Sequence, residues 1–405
     1  MVFCRSSVAQ SLSTVAQIEA WAHERLAAND ANGALTAYQR LGELVPNSAT
    51  CQDQIGFLLA ATNRIEEAIP HLLRATELDP KMAAAWFHLG AAQALKRQTE
   101  SAVQSMEKAV RLAPAMPEYR YRLGTLYNDT GRYAAAVPEL TETTKRLPSS
   151  AAAWAALGLA LEKQTRLSAA GDAYAKAVAL DPGNDLLRNS YGYVLVQGGN
   201  PSAGLRQFRQ ILAHDPDNEN VRVNVGYAYI ASGEMQKAIR ELLELTQMHP
   251  EFASAHYDLA IAYKQTDDLL RARDEFERAV NLEPSLAEAD YALALTLEDL
   301  GETERAVEAL RAAVAQRPDY VAGWLELGTM LQQQGDITGA IGALTRSVAL
   351  DSENSGAYNS LGLLLRRKGD AEGAKAAFAT AAKLRLAEAQ EKEKAIREGT
   401  TRLSK

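Results

Sequence analysis

The sequence predicts an all-α fold, an α-solenoid of about eleven 34-residue helix–turn–helix units. Three observations predict it. Pro46, Pro80, Pro114, Pro148, Pro182, Pro216, Pro250, Pro284 and Pro318 stand 34 residues apart, so nine of the thirteen prolines share one phase. With Val15 as position 1, position 8 is glycine in eight units, such as Gly56 and Gly226, and Ala22, Ala260 or Ala294 in the rest. Position 20 is alanine in every unit except the sixth, which has Gly204. A fixed period of about 20–50 residues marks a stack of supersecondary units.

Each element of the unit follows in order. Positions 4, 7, 8 and 11 are spaced i, i+3, i+4, i+7 and form one stripe of a first helix. Position 7 is large and apolar throughout, from Trp21 and Ile55 to Leu361. Position 15 ends that helix with Asn29, Asn63, Gly131, Gly199, Gly233, Gly301, Gly335 or Gly369, residues that accept a left-handed backbone. A second helix carries positions 20, 24 and 27 inward, position 24 running from Tyr38 through Phe208 and Phe276 to Phe378. The proline at 32 stops it, because proline lacks an N–H and clashes with the preceding turn. Ser48, Ser150, Asn184, Asn218 and Asn354 at position 34 can cap the next helix; five other units have Met, Phe, Leu or Tyr there. A helix of this size is about 20 Å long, and its apolar stripe is buried only by stacked neighbours.

The units are 15–48, 49–82, 83–116, 117–150, 151–184, 185–218, 219–252, 253–286, 287–320, 321–354 and 355–388, without insertion or deletion. Residues 1–14 form an N-terminal arm with no repeat to order it, and 389–405 a charged helical cap. Three units depart from the pattern. The sixth contains the soft stretch QGGNPSAG, the tenth has Ser352 for proline, and the eleventh meets no breaker before Gly399, so its second helix should extend.

Composition narrows the function. The chain is 47% hydrophobic and 23% charged, enough for a large core. A net charge of −8 and a pI near 5.5 argue against a nucleic-acid partner, which favours a basic stripe. Cys4 and Cys51 make no disulfide framework and are read as reduced, which favours the cytosol. No apolar run approaches the ~18 residues of a spanning helix. The opening MVFCRSSVAQSLSTVA has no signal-peptide core. The expected location is cytoplasmic; a signal sequence lost upstream of FCRSS would make it exported.

The small residue at 8, the alanine at 20, the large residue at 24, the proline at 32 and Trp86, Trp154 and Trp324 at position 4 resemble the tetratricopeptide repeat family. The resemblance covers 15–388. It implies a right-handed superhelix whose first helices line a concave groove.

On the first helix, positions 2, 5, 6, 9, 12 and 13 face away from the core stripe over an arc of about 120°. Position 5 holds Phe87, Tyr121, Tyr257 and Tyr291, and position 9 holds Phe57, Tyr193 and Tyr227. Four consecutive units, the sixth to the ninth, therefore offer one tyrosine each. Tyrosine joins a flat apolar face to a polar tip and suits interfaces. Beside the rings lie Arg122, Asn224, Asp258, Lys264 and Glu298. The rings either pad neighbouring helices or form an aromatic strip for a peptide, with Asn224, Asp258 and Lys264 bonding its polar groups. The lysine, asparagine and arginine pattern of chaperone-tail clamps is not matched in three consecutive units, and the asparagine ladder of protein O-GlcNAc transferases is absent, since only Asn224 fits.

No catalytic pattern emerges. His23, His71, His88, His214, His249 and His256 form no metal motif, so neither metal nor cofactor is expected. His249 and His256 flank Pro250 at a helix start and are read as surface residues. The repeats leave no room for a catalytic domain. The leading function is a non-enzymatic adaptor binding a peptide or partner protein in its groove. The alternatives are a substrate-recognition accessory of a separately encoded transferase or export machine, and a structural solenoid that self-associates through its end repeats.

Overall fold

A computed structural model describes the backbone of residues 2–403 and the side chains of residues 14–393. Among the described residues there are 22 helices and no strand. In the first half of the chain they are α1 (Val2–Ala27), α2 (Ala31–Leu44), α3 (Ala49–Ala61), α4 (Ile65–Leu78), α5 (Ala83–Leu95), α6 (Thr99–Leu112), α7 (Pro117–Asp129), α8 (Tyr133–Arg146), α9 (Ala151–Glu162), α10 (Leu167–Leu180), α11 (Asp185–Gln197) and α12 (Pro201–Leu212). The rest are α13 (Glu219–Ala231), α14 (Met235–Met248), α15 (Ala253–Gln265), α16 (Leu269–Leu282), α17 (Ala287–Asp299), α18 (Thr303–Gln316), α19 (Val321–Gln333), α20 (Ile337–Leu350), α21 (Ser355–Lys368) and α22 (Ala371–Leu403). The backbone of 2–14, expected as an arm, is continuous with α1, and α22 runs on through the charged tail. The chain divides into two compact units, Met1–Gln207 and Phe208–Lys405, at a point inside α12 and next to the glycine-rich turn.

Within each compact unit an odd-numbered helix other than α11 packs most closely on the even-numbered helix that follows it. The residue at position 8 makes this approach possible. A Cβ built on Gly56 would lie 2.5 Å from Leu72 Cγ, and one on Gly226 2.5 Å from Leu242 Cγ. Leu72 and Leu242 are fully buried, as are the position-20 alanines Ala68 and Ala238. First helices of neighbouring repeats also touch directly, α3 with α5, α7 with α9 and α13 with α15.

The boundaries have a consistent chemistry. Ser48, Ser150, Asn184, Asn218 and Asn354 each accept a backbone N–H three residues on, at 2.9–3.3 Å. Second helices have caps that composition did not flag: Asp30, Asp268 and Asp336 accept from Gly33, Arg271 and Gly339. The carbonyl of the boundary proline has a regular partner, the position-4 side chain six residues on. Trp86, Trp154 and Trp324 donate Nε1–H to Pro80, Pro148 and Pro318 at 3.0 Å, and Arg120 donates Nε–H to Pro114 at the same distance.

One expectation is overturned here. His256 is not a surface residue: it is 3% exposed. It occupies position 4, so its ring turns into the helix pair, with Nδ1 2.6 Å from Glu275 Oε2 and Nε2 3.0 Å from the Pro250 carbonyl oxygen. His249, by contrast, keeps about a third of its side chain exposed beside Glu219, 34% by area.

Candidate functional site

The residues singled out on the outward arc of the first helices fall into two groups, one in each compact unit. In the first unit, Phe87 on α5 stacks on Tyr119 of α7, with centroids 4.4 Å apart and an interplanar angle of 24°. Phe57 on α3 lies against His88, 4.8 Å between centroids. Phe57, Phe87 and His88, with alanines of α3 and α5, Leu95, Leu126 and Arg122, line a cleft of about 600 Å³. Four of the five polar or charged side chains that line it, those of His88, Glu118, Arg122 and Thr125, are hydrogen-bonded within the protein, and Asp129 at its edge is not. His88 Nδ1 lies 2.8 Å from Oδ1 of Asp53, whose carboxyl is fully buried. Arg122 donates from Nε to Glu118 Oε1 at 2.9 Å and lies 5.9 Å from the Tyr121 ring centroid.

Tyr193 is a half-buried residue of α11 and so belongs to the first unit, whereas Tyr227, Tyr257 and Tyr291 belong to the second. Asn224 and Tyr227 are half-buried on α13. Tyr257 on α15 meets Phe276 edge-on, with centroids 5.7 Å apart. Tyr291 on α17 packs against Tyr320, just ahead of α19, at 5.2 Å and 54°. Arg317 lies over the Tyr320 ring, 3.6 Å from its centroid, and its Nη1 donates to Glu288 Oε1 at 2.5 Å.

The carboxyl groups of this second cluster are unusual. Burial pushes the Asp258 carboxyl up to about 7, although the residue keeps some contact with solvent. It makes no hydrogen bond or ion pair with a described residue; Lys264, six residues on, pairs with Asp299 at 3.0 Å. Burial also raises Glu326 on α19, with the neighbouring Glu298 carboxylate adding to the shift. Tyr257 is pushed up to about 12, first by burial and then by the Asp258 and Glu288 carboxylates. Tyr291 is raised by burial and then by Glu326. Lys264, expected to bond a ligand, is paired with Asp299, and the Glu298 carboxylate bears on Glu326.

Several members of these clusters escaped the sequence reading. Tyr320 occupies position 34, where it looked like a failed helix cap, and Tyr119 occupies position 3, outside the arc considered. Among the described residues no group of three or more His, Cys, Asp and Glu could hold a metal ion, and no helix is long and apolar enough to cross a membrane.

Comparison with known proteins places this geometry. A tetratricopeptide repeat model matches residues 56–117, 121–185, 226–290, 291–355 and 325–390, and a second tetratricopeptide repeat model matches 195–251. No curated protein sequence matches the chain. Similar solved structures include MamA, 24% identical over 41% of this chain and 97% of that one, with a TM-score of 0.39. YrrB, described as a TPR protein with an unusual peptide-binding site, is 23% identical over 46% of this chain and 95% of its own, with a TM-score of 0.44. Naa15/Naa10 bound to HypK-THB gives 15% identity over 91% and 68% of the two chains, with a TM-score of 0.43. At these identities the likeness is one of fold alone.

Proposed function

The chain belongs to the tetratricopeptide repeat family, whose members serve as protein-interaction scaffolds, and on that premise we propose that it is a non-enzymatic adaptor that holds an extended or helical segment of a partner protein against its first helices. The observation that carries this reading is the recurrence of aromatic rings on the arc that the helix pair does not need. In the second compact unit these are Tyr227, Tyr257 and Tyr291, all half-buried and so partly open to a ligand. Glycine and alanine close the helix pair from behind, which frees the larger side chains for the outer arc. Interface energy usually concentrates in a few aromatic anchors. The repeats are taken to be bounded as the proline phase divides them.

Capture on the immobilised full chain, followed by mass spectrometry, identifies the partner. Tyr227→Ala and Tyr257→Ala should then each weaken its binding by about 2 kcal/mol, with the helical circular-dichroism signal unchanged. Binding that survives both changes together, and is lost through substitutions on the even-numbered helices, would place the partner on the other face and end this reading.

A further inference from the structure

The cleft of the first compact unit is a trough across three first helices. Phe57 and Ala61 come from α3, His88, Ala91 and Leu95 from α5, and Arg122 from α7. Spacings of three and four residues keep the members from α3 and from α5 on one face of their helix. The floor is low because Ala91 takes position 9, where Phe57, Tyr193 and Tyr227 carry rings in other repeats. The apolar rim is uncovered: Phe57 is 40% exposed and Leu95 67%.

His88 stands beside that floor, held from behind. Its Nδ1 lies 2.8 Å from Asp53 Oδ1. Asp53 is fully buried and its Oδ2 has no partner, so this contact is what fixes carboxylate and ring together. A carboxylate only accepts, so Nδ1 carries the hydrogen, and in the neutral ring Nε2 is the acceptor. Nε2 makes no hydrogen bond with a described residue, and unlike Asp53 Oδ2 it is not sealed from solvent. The cleft that His88 lines therefore offers an apolar trough with an oriented, unanswered acceptor at its side.

We propose that this cleft takes a tryptophan side chain of the partner segment, its ring on the alanine floor and its N–H donated to His88 Nε2. The proposal deepens the adaptor reading above and rests on it for the source of the side chain. An indole has one donor and no acceptor, so a single acceptor satisfies it. Trp86, Trp154 and Trp324 of this chain are satisfied in that way, each by one proline carbonyl. A phenol in the same place would keep unpaired lone pairs, and a phenyl ring would leave Nε2 unanswered. At about 600 Å³ the cleft has the size of pockets that hold small ligands, about 300–1,000 Å³.

The test titrates the full chain at pH 8 with N-acetyltryptophanamide, followed by ligand-observed NMR. N-acetyl-1-methyltryptophanamide, which keeps the ring without the donor, should bind about fivefold more weakly, the worth of one hydrogen bond. Asp53→Leu/His88→Leu removes the acceptor and leaves neither half of the buried pair behind, and it should bring the two probes within twofold of each other. Ala61→Leu changes an exposed residue at the mouth of the cleft and should weaken both probes together. Equal binding of the two probes by the parent would overturn the proposal. So would a preference that survives Asp53→Leu/His88→Leu, which would place the probe elsewhere, or tighter binding of N-acetylglutamate amide, which would mean that Nε2 donates to an acid. A chain that binds neither tryptophan probe but still captures a partner protein would keep the adaptor reading and eliminate the tryptophan slot. Circular dichroism of each variant separates lost binding from lost fold.

Discussion

The cleft around Phe57, Phe87 and His88 and the face around Tyr257, Tyr291 and Tyr320 both centre on position-5 rings of the first helices, yet they differ in their electrostatics. In the first, the charged groups next to the rings have partners in the protein, Asp53 through one oxygen to His88 and Arg122 to Glu118. In the second, Arg317 answers Glu288, but Asp258 and Glu326 are left with carboxyls that burial holds high. The difference teaches that an aromatic row on a solenoid is not one kind of surface. Where the charges are closed the rings serve packing as well as any ligand; where they are open the protein carries an electrostatic cost that a ligand can remove.

The largest effect expected from this contrast is at His88. Asp53 is fully buried, and its Oδ2 has no partner, so His88 is the side chain that answers its carboxyl. His88→Leu should destabilise the fold by about 3 kcal/mol, the cost of leaving one half of a buried pair behind. The double change Asp53→Leu/His88→Leu should recover most of that loss, because no polar group then remains to be satisfied. Chemical denaturation of the three variants measures it. If His88→Leu unfolds as the parent does, the first cluster is not closed by this pair and the comparison breaks.

Much of this fold was legible because each boundary was marked more than once. The tenth repeat shows how little rests on proline alone: α20 ends at Leu350 although Ser352 replaces proline, with Asp351 donating its N–H to the Ser347 carbonyl as the other ends do. The second helix is stopped by the turn as a whole, and proline is one way of encoding it. What stayed illegible depended on pairings between repeats. Arg317 reaches Glu288 from 29 residues away, and no spacing rule within one unit predicts that contact. His256 was misread because nearness to Pro250 was weighed above its position in the core stripe. The tyrosines were found by position, but the difference between the two clusters lies in which acids have partners, and that is set by side-chain reach across helices.

At Asp258 the same operation, deleting a polar group on the outer arc, should act with opposite sign. The folded carboxyl is pushed up from the ordinary 3.8 to about 7, so the folded chain holds this proton more tightly than the unfolded one. The linked stability is fully present below about pH 4 and is lost as pH rises through about 7. Asp258→Asn removes the titration. The variant should match the parent near pH 4 and exceed it by on the order of 1–2 kcal/mol at pH 8, less than the full shift implies because water still reaches the group. Melting curves across this range give the answer. A variant less stable than the parent at pH 8 would show that Asp258 is compensated after all, and the second cluster would then resemble the first.

The smallest effect concerns the turns, where the two compact units also differ. All eleven position-15 residues adopt positive φ, but the first unit uses Asn29, Asn63, Arg97 and Thr165 beside two glycines, while the second uses glycine in all but Asp267. Thr165 is the most strained of these, since a β-branched residue at φ 56° is crowded in a way that glycine is not. Its hydroxyl donates to the Gln164 carbonyl at 2.7 Å and recovers part of the cost. Relief of a left-handed Cβ is worth about 1–2 kcal/mol, and the extra freedom of glycine in the unfolded chain takes back about 0.5–1 kcal/mol. Thr165→Gly should therefore stabilise the protein by about 0.5–1 kcal/mol, and Thr165→Ala, which keeps the Cβ, should gain less. The reciprocal change in the second unit, Gly301→Thr, should lose at least as much, because φ there is 77°. If Thr165→Gly melts below the parent while Gly301→Thr is neutral, strain is not what separates the turns of the two units, and the threonine hydroxyl carries more of that turn than its one short bond suggests.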